Sequence, residues 1–87
     1  MRISQQKRDK IAEHLLSNLF HKWPESSFTA TLASDLARDE EFIKSLLESL
    51  KEKGLVVPIK KNSKGFFYSR RIRWRLTNKA HEAYKKL

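Results

Sequence analysis

The chain has 87 residues, of which 39% are apolar and 33% charged, a balance typical of one soluble globular domain. It has 19 Lys and Arg against 10 Asp and Glu, a net charge of +9, and it has no cysteine, which excludes disulfides and thiolate zinc sites. No stretch has the pattern of a membrane span or a signal peptide, so we expect a cytoplasmic protein without a membrane role. A strongly basic protein in that compartment favours nucleic acid as its partner.

Two helices are predicted in the first half of the chain. The first covers 4–21, where apolar residues recur at the helical spacing. It ends before Trp23-Pro24, because proline disfavours the helical conformation of the residue that precedes it. A short extended segment at 28–30 follows. The second helix covers 31–38 and is predicted to be capped by the side chain of Thr31.

The third predicted helix covers 39–53 and has clear signals at both ends. Asp39 is the expected N-cap. Gly54 follows a charged last turn, and only glycine takes the left-handed conformation at that position freely. The apolar residues of the stripe between them are Ile43, Leu46, Leu47 and Leu50.

A basic hairpin is predicted at 55–76, and a last helix at 78–87 is capped by Thr77. On the first strand Leu55, Val57 and Ile59 are expected to share one face. On the return strand Trp74 is in phase with other apolar residues and is expected in the core. Arginines alternate with these residues on the opposite face. The hairpin contains no acid, and its seven basic residues are Lys60, Lys61, Lys64, Arg70, Arg71, Arg73 and Arg75.

Two segments carry a resemblance to a known family. The first runs from Leu32-Ala33-x-x-Leu36 through Ile43, Leu47 and Leu50 to Lys53-Gly54-Leu55-Val56, and it resembles the helix-turn-helix of winged-helix regulators. The second, Leu76-Thr77-Asn78-Lys79-Ala80, resembles the Leu-Thr-x-x-Gly that follows the wing in MarR-like regulators, with Ala80 in place of the glycine. The resemblance implies an α+β, mostly α, winged helix-turn-helix. Its three-helix core would carry a two- to three-stranded wing and a C-terminal helix.

The same resemblance implies a small transcriptional regulator that binds double-stranded DNA. No cofactor or metal is predicted. Its third helix would enter the major groove, and its wing would contact the backbone. The seven basic residues of the hairpin are then the wing contacts, and the contacts on the third helix and its approach are Arg38, Lys44 and Ser45.

The start of the third helix is acidic, with Asp39, Glu40 and Glu41 in succession. We interpret these carboxylates as caps that complement the helix dipole, so that the wing carries most of the affinity. The other interpretation is that Glu41 accepts a hydrogen bond from a cytosine amino group.

Two other functions stay open on the sequence. The segments 50–58 and 67–70 also resemble the wing of a winged-helix protein of the small ribosomal subunit, which implies RNA binding. A protein–protein adaptor would use the acidic third helix as its interface. Enzyme chemistry is not predicted, because His14 and His21 have no third ligand and no organising motif. A homodimer is predicted through the first and last helices, with the candidate contacts Leu15, Leu19, Tyr84 and Leu87.

Overall fold

A computed structural model of the chain describes residues 4–59 and 72–86. Four helices and a three-stranded antiparallel sheet make up these residues, which confirms the mostly helical α+β fold. In chain order the elements are α1 (Gln5–Lys22), β1 (Ser27–Phe28), α2 (Thr29–Leu36), α3 (Glu40–Glu52), β2 (Val56–Ile59), β3 (Arg73–Leu76) and α4 (Asn78–Lys85). The connection between β2 and β3, where most of the basic residues of the hairpin occur, lies outside the described residues.

The first helix begins and ends one residue later than predicted. The hydroxyl of Ser4 caps it by accepting from the N–H of Lys7 at 3.2 Å. At the other end Trp23 has an extended conformation, and its N–H donates to the carbonyl of Phe20. Proline at the following position explains this end, because it excludes the helical conformation for Trp23.

The start of the second helix differs from the prediction. Thr31 is not its cap: α2 begins two residues earlier, at Thr29, and no side chain caps it. The reason is tertiary, because Phe28 is extended in β1 and pairs with Arg73 of β3. The helix ends at Leu36. The next residue, Ala37, has a left-handed φ of 55°, and the N–H of Arg38 donates to the carbonyl of Ala33.

The third helix has the predicted cap and stop. The carboxylate of Asp39 accepts from the N–H of Phe42 at 3.1 Å. Gly54 has a φ of +77°, and the N–H of Leu55 donates to the carbonyl of Leu50 at 3.0 Å. This pattern closes the last turn and turns the chain directly into β2.

The sheet has the order β1-β3-β2, with the basic strand β3 in the centre. Val56 pairs with Leu76, and both side chains are buried against the helices. Val57 pairs with Arg75, and Ile59 pairs with Arg73, so these side chains point away from the core. Val57 and Ile59 therefore share a face as predicted, but it is the outer one. Leu55, the third residue predicted for that face, precedes the strand and packs against the core, and Val56 fills the core position of β2.

Trp74 occupies the centre of the core, as the sequence phase predicts, and is 1% exposed. Its indole N–H donates to the hydroxyl of Thr29 at 2.9 Å, which connects β3 to the start of α2. At the end of β3, the hydroxyl of Thr77 donates to the carbonyl of Gly54 at 2.9 Å and also caps α4. These two contacts fix the base of the wing against the helices.

Two of the candidate dimer contacts were wrong. Leu15 and Leu19 are both 0% exposed and lie in the core of the single chain, so no second copy can reach them. The helical spacing that made them candidates identified a buried face, and it does not distinguish an intramolecular partner from an intermolecular one. Tyr84 is half-buried, and Leu87 lies outside the described residues.

Candidate nucleic-acid interface

The outer surface of α3 is exposed and carries charges of both signs. Lys44 and Ser45 are exposed, as is Arg38 in the turn that precedes the helix. The hydroxyl of Ser45 donates to the carbonyl of Phe42 at 2.9 Å, within its own helix. Glu40 and Glu41 are exposed on the first turn. At this end of α3 the two exposed carboxylates precede the ammonium of Lys44 by about one helical turn.

Polar contacts hold the helices that support α3. The ammonium of Lys22 lies 2.7 Å from a carboxylate oxygen of Asp35, and the amide of Asn18 donates to the same oxygen at 3.3 Å. These two groups, the ammonium first, hold the pKa of Asp35 below its usual value. At the N-terminal end of α1, the guanidinium of Arg8 lies 5.6 Å from the ring centroid of Phe42. The two helices of the helix-turn-helix are thus each connected to α1 on either side of the turn between them.

The two described arginines of the wing lie on the outer face of the sheet, each against an aromatic ring. The guanidinium of Arg73 is 5.7 Å from the ring centroid of Phe28, and that of Arg75 is 5.3 Å from the ring of Trp23. Both arginines are half-buried. The alternation of the sequence predicts their face but not these rings, which belong to β1 and to the turn after α1. The other proposed wing contacts, Lys60, Lys61, Lys64, Arg70 and Arg71, lie outside the described residues.

A stack of aromatic rings joins the base of the wing to α4. The rings of Trp23 and His81 are stacked, with centroids 4.2 Å apart and an interplanar angle of 14°. His81 also stacks on Phe20 at 5.2 Å, and Phe20 contacts Tyr84 at the same distance. Sequence reasoning missed His81, because no local pattern marks a histidine whose partners lie on a helix at the other end of the chain.

The surface also has one cleft beside the helix-turn-helix. It has a volume of ≈ 310 Å³ and is lined by Ile11, His14, Asn18, Asp35, Leu36 and Arg38. The side-chain carbonyl oxygen of Asn18, one of the lining residues, is buried and accepts no hydrogen bond from the described part of the chain. Across residues 4–59 and 72–86, no three His, Cys, Asp or Glu side chains are grouped closely enough to hold a metal ion. No helix in the same ranges is long and apolar enough to cross a membrane.

The sequence matches no protein-family model and none of the curated proteins. Solved structures of similar fold do match the chain. The S. aureus MepR–DNA complex superposes with a TM-score of 0.71 at 22% identity, over 93% of this chain and 66% of that one. S. aureus MepR in its DNA-binding conformation gives a TM-score of 0.72 at 20% identity, over 94% of this chain and 61% of that one.

Lactococcus lactis ZitR, described as a zinc-responsive MarR family member, gives a TM-score of 0.67 at 24% identity, over 98% of this chain and 51% of that one. The chain thus spans between about half and two thirds of the length of these proteins. At these identities the likeness concerns the fold. The protein therefore has the MarR-like winged helix-turn-helix fold that its sequence resembles.

Proposed function

We propose that the protein is a DNA-binding transcriptional regulator that contacts double-stranded DNA through α3 and the basic wing. The observation that carries the proposal is the open outer surface of α3 beside the wing, in a fold that superposes on a protein solved with DNA. In helix-turn-helix proteins the second helix of the motif lies in the major groove. Here that helix is α3, and it is packed on the core through its other side.

Acidic and basic residues are distributed unequally between α3 and the wing. Lys44, Ser45 and Arg38 are the contacts of α3 and its approach, while Glu40 and Glu41 repel phosphates at its first turn. The wing has seven basic residues and no acid in its sequence. We therefore infer that the wing supplies most of the affinity, and that α3 contributes register and a modest base preference.

The proposal includes a homodimer and excludes catalysis. Of the four dimer contacts predicted from the sequence, Tyr84 on α4 is the one that the structure describes with accessible surface. Sedimentation velocity of the wild type and of Tyr84→Ala checks this part, and a monomeric wild type would remove it. A regulator of this kind acts by occupying DNA in the cytoplasm, so it requires no catalytic group.

Fluorescence anisotropy with a labelled duplex tests the function. We expect binding that weakens steeply with salt, with a slope of log K against log salt of about −4 to −6 if five to seven side chains contact phosphates. Lys44→Ala should weaken duplex binding and reduce the slope by about 0.9. Lys85→Ala is the matched control, because Lys85 is an exposed lysine on α4.

Three results would each refute or redirect the proposal. Equal affinity for unrelated duplexes and for structured RNA would favour the RNA-binding alternative. No binding to either at low salt would leave the adaptor alternative. Equal losses in Lys44→Ala and Lys85→Ala would mean that α3 has no special position at the DNA.

A further inference from the structure

The side chain of Arg75 is held at two points on the outer face of the sheet. Its guanidinium carbon lies over the ring of Trp23, 5.3 Å from the centroid. One guanidinium nitrogen, Nη1, also donates to the main-chain carbonyl of Leu76 at 3.4 Å. A guanidinium has several N–H donors in one plane, and contact with a ring does not consume them. The two contacts therefore restrict the rotamers of Arg75 and leave N–H groups for a ligand.

The ring that holds Arg75 is itself held by the last helix. Trp23 directly follows α1, and its ring is stacked on His81 of α4, with centroids 4.2 Å apart and an interplanar angle of 14°. His81 stacks in turn on Phe20, with centroids 5.2 Å apart. Packing of this kind restricts the rotamers of a side chain. The position of Arg75 on β3 thus depends on a histidine that α4 contributes.

The contacts that orient Arg75 do not neutralise its charge. Among residues 4–59 and 72–86 the ion pair is Lys22–Asp35, so within these ranges no carboxylate pairs with Arg75. A guanidinium held by a ring keeps its full charge for an anion. A long side chain loses rotamer freedom when it is immobilised at an interface, and this loss is smaller where the side chain is already ordered. Arg75 is both charged and ordered, which favours a phosphate as its partner.

We propose that Trp23, held by His81, is a positioning residue that orients Arg75 toward a phosphate of the DNA duplex. The inference rests on the proposed function, in which Arg75 is one of the phosphate contacts of the wing. Its new content is that α4 contributes to duplex affinity through the rings of Trp23 and His81. Both residues act through Arg75, so their effect on binding exists only while Arg75 is present.

A double-mutant cycle on the full chain tests this dependence, with duplex binding measured by fluorescence anisotropy. We expect Trp23→Leu to weaken binding about threefold to tenfold, the range for one long side chain that must be ordered on binding. In an Arg75→Ala background the same change should alter affinity by less than about 1.5-fold, because no guanidinium remains to be positioned. Trp23→Phe keeps a ring beside Arg75 and should recover most of the loss.

Two histidine variants give a matched pair that leaves Trp23 and Arg75 intact. His81→Gln removes the ring that stacks on Trp23. His21→Gln makes the same change at an exposed histidine near the end of α1, whose ring contacts Phe20 edge-on. We expect His81→Gln to weaken duplex binding about twofold to threefold and His21→Gln to leave it unchanged. Circular dichroism melts check that each variant is folded, and the histidine pair decides if Trp23→Leu does not fold.

The inference is overturned if Trp23→Leu costs the same affinity with and without Arg75, or if the two histidine variants bind duplex equally. It also fails if Arg75→Ala alone binds as tightly as the wild type. In that case recognition through α3 still stands, provided that Lys44→Ala weakens binding. Failure of the proposed function itself has a different signature, since the wild type would then not bind duplex or would be insensitive to Lys44→Ala.

Discussion

Removing the hydroxyl of Thr29 should destabilise the protein although it deletes little volume. That hydroxyl accepts from the indole N–H of Trp74 at 2.9 Å, and Trp74 is 1% exposed. In Thr29→Val the indole N–H of the buried Trp74 loses this partner. Leaving a buried donor unsatisfied costs about 1–3 kcal/mol. Domains of this size have a free energy of unfolding of roughly 4–13 kcal/mol, so the change is a large fraction of the total.

Urea denaturation followed by circular dichroism measures the effect. For a small domain the free energy of unfolding falls by about 1 kcal/mol per molar urea, so we expect the midpoint of Thr29→Val to fall by about 1 M or more. Thr31→Val is the matched control, an exposed threonine on the same helix. Its free energy should change by less than about 0.5 kcal/mol.

A double-mutant cycle with Trp74→Phe isolates the hydrogen bond. Phenylalanine has no donor to leave unsatisfied, so Thr29→Val should cost less in that background, with a coupling of about 1 kcal/mol. The reasoning is refuted if Thr29→Val and Thr31→Val have the same midpoint, or if the two losses at Thr29 and Trp74 simply add.

Three further predictions concern charge and backbone conformation. Replacing Glu40 and Glu41 together by glutamine should strengthen duplex binding about fivefold at low salt. The reason is that each negative charge about 8 Å from a phosphate costs about 0.5 kcal/mol of binding free energy in water. An unchanged affinity, measured by anisotropy, would contradict the repulsion. Lys22 and Asn18 lower the pKa of Asp35 from 3.8, so the stabilisation by its carboxylate is complete above that value and is lost as the pH falls through the lower folded pKa. Asp35→Asn should therefore lower the urea midpoint at pH 7 but not in strong acid. A difference between variant and wild type that does not change with pH would argue against this reasoning. Gly54 has a φ of +77°, so Gly54→Ala should lower the free energy of unfolding by about 1 kcal/mol. Ala37 has a φ of 55°, so Ala37→Gly should raise it by up to about 1 kcal/mol. Urea midpoints that move in the same direction would contradict the conformational reason.

The faces of the return strand of the wing, β3, could be predicted from alternation along the sequence. A strand presents successive side chains to opposite faces of the sheet. Because Trp74 and Leu76 lie in the core, Arg73 and Arg75 must lie on the outer face. The groups that these two arginines contact on the outer face could not be predicted from the sequence. The rings of Phe28 and Trp23 are about fifty residues away in sequence. The pairing of β1 with β3 brings Phe28 to Arg73, and the tertiary fold places Trp23, after α1, beside Arg75.

The dimer contacts show the opposite case. The helical period correctly marks Leu15 and Leu19 as one apolar face, but a period contains no information about which surface covers it. In the structure the covering surface is the rest of the same chain, and both residues have no exposed area.

The sequence by itself determined the helices, the stop at Gly54, the basic hairpin and the winged-helix order, because caps, glycine conformation and periodicity are local. The tertiary structure alone decided where α2 begins, since the extended Phe28 and the Trp74–Thr29 hydrogen bond both depend on β3. It also decided that Arg73 lies on the ring of Phe28 in the neighbouring strand, and Arg75 on the ring of Trp23 after α1. The physical reason is the same in each case: these contacts join residues distant in sequence, and their energy exists only once the chain has folded.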